Sequence, residues 1–112
     1  MIGKYRFAHL LGSTMNNEDI FREAEIAITK MGYICFRPVV YNYEEYIKNK
    51  DLLDNMCFNK LLITDICVVV TPNHIGKSTK KRIKDSILFN KPVYVWENGE
   101  LKLIDDIKPY IQ

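Results

Sequence analysis

Two short turns carry the residue types that could do chemistry. Gly12-Ser13-Thr14 follows a run that is apolar and aromatic up to Leu11, and Pro72 to Thr79, reading PNHIGKST, follows a second apolar run. In each, glycine and two hydroxyls stand where a strand gives way to a helix. Free backbone N–H groups at such a place suit an anion or a sugar, with Gly76 allowing close approach and Ser78 and Thr79 adding hydroxyls at a helix N-terminus. A plain glycine turn with a Ser or Thr cap needs the same residue types. The second turn is not a P-loop, because GxxxxGK[ST] requires a glycine where Thr71 stands.

Behind that turn, Lys77, Lys80, Lys81, Arg82 and Lys84 precede the next acid, Asp85. Cations in a first helical turn oppose the helix dipole by about a few tenths of a kcal/mol each, and a bound phosphate would reverse the sign. A solvated basic face is the plainer explanation. Asp65 stands just before the most apolar run, where partial burial would fit it for acid–base work, although turns commonly carry an aspartate there. Tyr41, Tyr43 and Tyr46 offer rings that could stack on a base or simply pack. His9 and His74 lack partners at ligand spacing, so no metal site is expected. Cys35, Cys57 and Cys67 are odd in number and form no CxxC pair, which points to reduced thiols, with Cys67 in the core.

These residues need elements to hold them. Tyr5 to Leu11 is expected as a first strand ending at Gly12. Ile20, Ala24, Ala27, Ile28 and Met31 then form one stripe at helical spacing, with Asn16 or Asn17 as N-cap and Gly32 at the C′ position. Tyr33 to Val40 reads as a strand ended by Pro38 or lying at the sheet edge. Glu44 to Leu62 is helical, as one helix or two, with Leu53, Met56, Cys57, Lys60 and Leu61 inward. Ile66 to Thr71 is a central parallel strand covered on both faces. Ser78 to Phe89 is a helix with Ile83 and Ile87 inward, and Pro92 to Trp96 a buried strand. Asn98-Gly99 predicts a hairpin to a last strand near Leu101 to Ile104. The alternation predicts an α/β fold, a small doubly wound parallel sheet of the Rossmann-like, flavodoxin-like kind in three layers. Ligands of such sheets bind outside the carboxyl ends of the strands, where strand order reverses.

At 112 residues the chain, 1–112, is expected to be a single domain. With 47% hydrophobic and 27% charged residues it has the balance of a soluble globular protein. Its longest uninterrupted apolar stretch, Ile66 to Val70, is far shorter than the roughly 20 residues a membrane span requires. A net charge of +2 is too weak to argue for a nucleic acid polymer as partner. Lys4, Arg6 and His9 break up the start of the chain, so no secretory signal is expected and the cytoplasm is the expected compartment.

Several short motifs, in this order and spacing, resemble one family. GST at Gly12 to Thr14, LDNM at Leu53 to Met56, TD before the buried strand, IGKST at Ile75 to Thr79 and NKPVYV at Asn90 to Val95 are similar to the nucleoside 2-deoxyribosyltransferase-like proteins. The resemblance spans nearly the whole chain. It implies a small parallel α/β sheet, a nucleoside or nucleotide as ligand, no cofactor, and the homo-oligomers that the family's enzymes often form. It also implies cleavage of an N-glycosidic bond through a carboxylate nucleophile three residues after the threonine that matches Thr79.

In this chain that position is Arg82, and a guanidinium cannot attack an anomeric carbon or stabilise an oxocarbenium ion as a carboxylate does. Asp65 matches an aspartate that contributes to the transferases' site and is the catalytic candidate if transferase or N-glycosidase chemistry persists. Asp85 lies one helical turn from Arg82 but points about 60° away around an ideal helix. Arg82 suits a phosphate or carboxylate better. The expectation is a nucleoside- or nucleotide-binding relative with altered or lost glycosidic chemistry, its ligand held by Gly12, Ser13, Thr14, Gly76, Ser78, Thr79 and Arg82. A protein-interaction module that kept the fold without a ligand is the alternative.

Overall fold

The computed structural model describes residues 4–13, 17–37 and 43–112. Side-chain alternation along β1 (Arg6–Leu11) sends Ala8 and Leu10 to one face of a sheet and His9 and Leu11 to the other. Both faces are covered, which is why four of its six residues are buried. β1 pairs in parallel with β2 (Tyr33–Phe36) on one side and with β3 (Ile66–Val69) on the other. β4 (Val93–Glu97) continues the parallel set and β5 (Glu100–Leu103) closes it antiparallel, giving the order β2-β1-β3-β4-β5. The chain is therefore an α/β domain of the doubly wound, Rossmann-like kind, with its strand order reversing between β1 and β3.

The reversal decides which face each helix covers. α1 (Glu18–Lys30) packs Phe21, Ala24 and Ile28 on Ala8, Leu10, Ile66, Val68 and Val70. On the opposite face lie α3 (Lys50–Ile63), which follows the short α2 (Tyr43–Lys48), α4 (Lys77–Leu88) and α5 (Lys108–Ile111). Leu61 and Ile83 there meet Leu11, Cys67, Val69, Val93 and Val95. The result is three layers. The hairpin forms at Asn98-Gly99, both at positive φ, with Trp96 opposite Leu101. Gly32, at φ +98, ends α1 as a C′ glycine should.

Three periodicity readings need correction. In α1 the inward stripe is centred on Phe21, the largest apolar side chain available, and this rotation leaves Ile20 and Met31 exposed. In α4, Thr79, Ile83 and Ser86 face the sheet, and Ile87 is exposed because Ser86 takes the inward position. In α3, Met56 is exposed, while Leu53, Cys57 and Lys60 are partly buried and Leu61 fully. Glu44 to Leu62 is two helices, and Pro38 and Val40 lie outside the described residues. Among the described residues no helix is long and apolar enough to cross a membrane.

Candidate functional site

A cavity of about 340 Å³ lies between α3 and α4, above the carboxyl half of β1. It is thus beside the strand-order reversal, where open α/β sheets place their ligands. Its floor is His9 and Leu11 from β1. One wall is the stripe Lys50, Asp54, Cys57, Phe58 and Leu61, which the helical repeat of α3 aligns. The other is Ser78, Lys81, Arg82 and Asp85 on α4, with Lys77 at its first turn and Ser86 toward the sheet. The Phe58 and Phe89 rings meet edge to face at 5.6 Å and tie α3 to the far end of α4.

Charge is concentrated here. Asp54 accepts from Lys50 Nζ at 2.6 Å through one oxygen and from Arg82 Nη2 at 2.9 Å through the other. Asp85 holds Lys81 Nζ at 2.9 Å. Lys77 has no ion pair among the described residues, so four cations face two carboxylates. Arg82 is only 22% exposed at its side chain, and its guanidinium spans the gap between the two helices.

His9 is the anomaly. It is 1% exposed, and its Nδ1 is buried with no hydrogen-bond partner. Burial first, then the positive fields of Lys60 and Arg82, lower its pKa to about 4, so at neutral pH it is an uncharged imidazole. Beside it in register on β3 is Cys67, whose thiol burial pushes up to about 11. Ser86 Oγ lies 3.1 Å from that sulfur and donates to the Arg82 carbonyl at 2.7 Å. Cys67 is therefore a protonated core thiol and no nucleophile at neutral pH.

The structure brings some of the expected residues together and separates others. Ser78 and Arg82 line the cavity. Gly76 is the N-cap of α4, and the buried Thr79 faces the sheet. Gly12 and Ser13 lie at the neighbouring strand end without lining the cavity, and Ser13 N–H donates to Thr71 Oγ1 at 3.3 Å. The two turns therefore meet through Thr71. Thr14, Tyr41 and the side chains of Tyr43 and Tyr46 lie outside the described residues.

Asp65 is not brought to the cavity. It stands exposed at the amino edge of the parallel strands, where its carboxylate accepts the Phe7 N–H at 2.7 Å. Thr64 Oγ1 donates to the Phe7 carbonyl at 3.0 Å in the same clip. Sequence reasoning missed His9, Lys50 and Asp54 as site residues. The signals were present: residue 9 shares the strand parity of Leu11, and residues 50 and 54 extend the stripe of Cys57 and Leu61. No family model, no curated protein and no solved structure matches this chain.

Proposed function

We propose that the cavity between α3 and α4 binds a nucleoside or nucleotide, and that glycosidic bond cleavage of the transferase kind is altered or lost. The observation that carries this reading is Arg82, the residue in place of the resembled family's nucleophile, lining a cavity at the strand-order reversal with its guanidinium on Asp54. Apolar Leu11, Phe58 and Leu61 suit a base, and the cations of α4 suit a sugar phosphate. A guanidinium cannot form a glycosyl ester, and both oxygens of Asp54 are already held by cations.

The test incubates purified protein with deoxynucleosides and nucleotides while following thermal shift and base release. A raised Tm without released base is expected. Base release above the uncatalysed rate would restore an enzymatic reading, and its loss in Asp65→Ala would bring Asp65 back as catalyst. The interaction-module alternative draws on exposed Leu52, Met56 and Ile63 along α3. Under it no nucleoside or nucleotide shifts the Tm.

A further inference from the structure

The outer side of α3 is built unlike the outer sides of its neighbours. α1 and α4 turn charged residues to solvent, Arg22, Glu23 and Lys30 on one and Lys77, Lys81 and Lys84 on the other. A helix covered on one side only is expected to be polar on the other, whereas one that is apolar all round is covered all round. α3 buries Leu61, with Leu53 and Cys57 partly buried, yet it also exposes Leu52 by 53%, Met56 by 49%, Leu62 by 43% and Ile63 by 60%. The polar residues exposed between them are Asn55 and Asn59, so the middle of this face carries no charge. A continuous apolar face of this kind marks a contact with another molecule.

The two ends of the face identify what covers it. Asp51, exposed in the first turn of α3, has no ion pair among the described residues. Lys91 has none either, and its Nζ lies 3.4 Å from the Leu62 carbonyl in the last turn. Asp51 and Leu62 are eleven residues apart, close to three full turns, so carboxylate and ammonium flank the same side of the helix from opposite ends. A second copy of α3 laid antiparallel puts each carboxylate beside the other copy's ammonium, and a two-fold axis makes that contact twice. A parallel copy would set like charges together at both ends. The apolar spacing obeys the same symmetry. Leu52, Met56, Asn59 and Ile63 fall four, three and four residues apart, so the stripe reads alike in both directions. Leu52 of one copy then meets Ile63 of the other, the two Met56 side chains straddle the axis, and Asn59 is the polar position that fixes register in such a seam.

We propose that the outer face of α3 is the interface of a two-fold homodimer, its two helices antiparallel, with Leu52 against Ile63 and Asp51 paired to Lys91 across it. Opposite charges at opposite ends of one face fit the chain's own copy turned end for end, and they do so without any other partner. Leu52, Met56 and Ile63 do not line the cavity, so dimer formation and ligand binding are separately testable.

Sedimentation equilibrium of the full chain over about 1–200 µM tests this. The average mass is expected to climb from 13.2 kDa toward twice that value as concentration rises. Met56→Glu, at a position half exposed in the single chain, sets two carboxylates against each other near the axis and should weaken association by about tenfold or more. Its far-UV circular dichroism and its urea midpoint in dilute solution should match the parent's. Asp51→Lys and Lys91→Glu should each weaken the dimer by about tenfold, and the chain carrying both reversals should regain the parent's dissociation constant to within about threefold. An equimolar mixture of the two single variants should also associate, because one brings two cations to the contacts and the other two carboxylates. A mass fixed at 13.2 kDa up to about 200 µM overturns the dimer. A dimer as tight in Met56→Glu as in the parent lies on some other face and overturns the assignment to α3. Single reversals without effect, or without rescue in the double reversal, overturn the antiparallel pairing.

Discussion

At the scale of single residues, the site is organised around one carboxylate shared by two cations. Asp54 satisfies Lys50 and Arg82 at once, so the three deletions are unequal. Arg82→Ala leaves Asp54 with Lys50 and is expected to cost no more than about 1 kcal/mol, because the pair is only partly buried and solvent screens it. Asp54→Ala leaves two cations facing Lys77 and Lys81 across a confined space, and about 1–2 kcal/mol is expected. Urea unfolding of the single variants and of the double variant measures the coupling, which should fall near 0.5–1 kcal/mol, in the range found for contacting pairs. Additive losses would mean that the Arg82 to Asp54 bond contributes nothing in solution.

At the scale of elements, the turn after β1 has less freedom than the turn after β3. Gly12 is at φ +141, a conformation L side chains rarely adopt, and a Cβ there would run into Thr71 Oγ1 and come within 3.3 Å of the Phe21 ring. Gly12→Ala is therefore expected to cost about 2–3 kcal/mol, from backbone strain and from displacing the hydroxyl that receives Ser13 N–H. Gly76 has φ −80 and open space where its Cβ would be, so Gly76→Ala should cost about 0.5 kcal/mol, roughly the preference for glycine over alanine at an N-cap. Similar urea midpoints for the two variants would refute this difference. The same contrast explains what sequence patterns can reveal. Gly12, Gly32 and Asn98-Gly99 were legible because chain geometry demands those residue types locally, and the continuous run at β3 was legible because both its faces are covered. The helix faces were harder. α1 turned toward Phe21 and α4 toward Ser86, since what a helix buries is settled by the sheet opposite and not by its own hydropathy alone. Asp65 illustrates the same limit, because a TD pair before a strand reads alike whether it serves a reaction or clips the Phe7 backbone.

At the scale of the whole molecule, the cavity puts an uncharged imidazole inside the fold, and folding stability must respond to pH. The unfolded chain protonates residue 9 near 6.5, whereas the folded chain holds it neutral to about 4. Between those values the unfolded state binds a proton that the native state refuses, so stability falls as pH drops through the window and levels off above it. A lowering from 6.5 to about 4 corresponds to roughly 3 kcal/mol over the full range. The forces behind it come from both helices that pack on β1: burial beneath α3 and α4, then Lys60 on α3 and Arg82 on α4. The comparison that isolates this contribution is with a chain that lacks only the imidazole. His9→Leu is that chain. At pH 7.5 it should match or exceed the parent in urea midpoint, because it removes an unpaired polar atom. By pH 4.5 the parent should have lost about 2–3 kcal/mol relative to it. Parallel stability curves would mean that the folded protein protonates His9 as readily as the unfolded chain does, which a side chain 1% exposed in the fields of Lys60 and Arg82 does not permit.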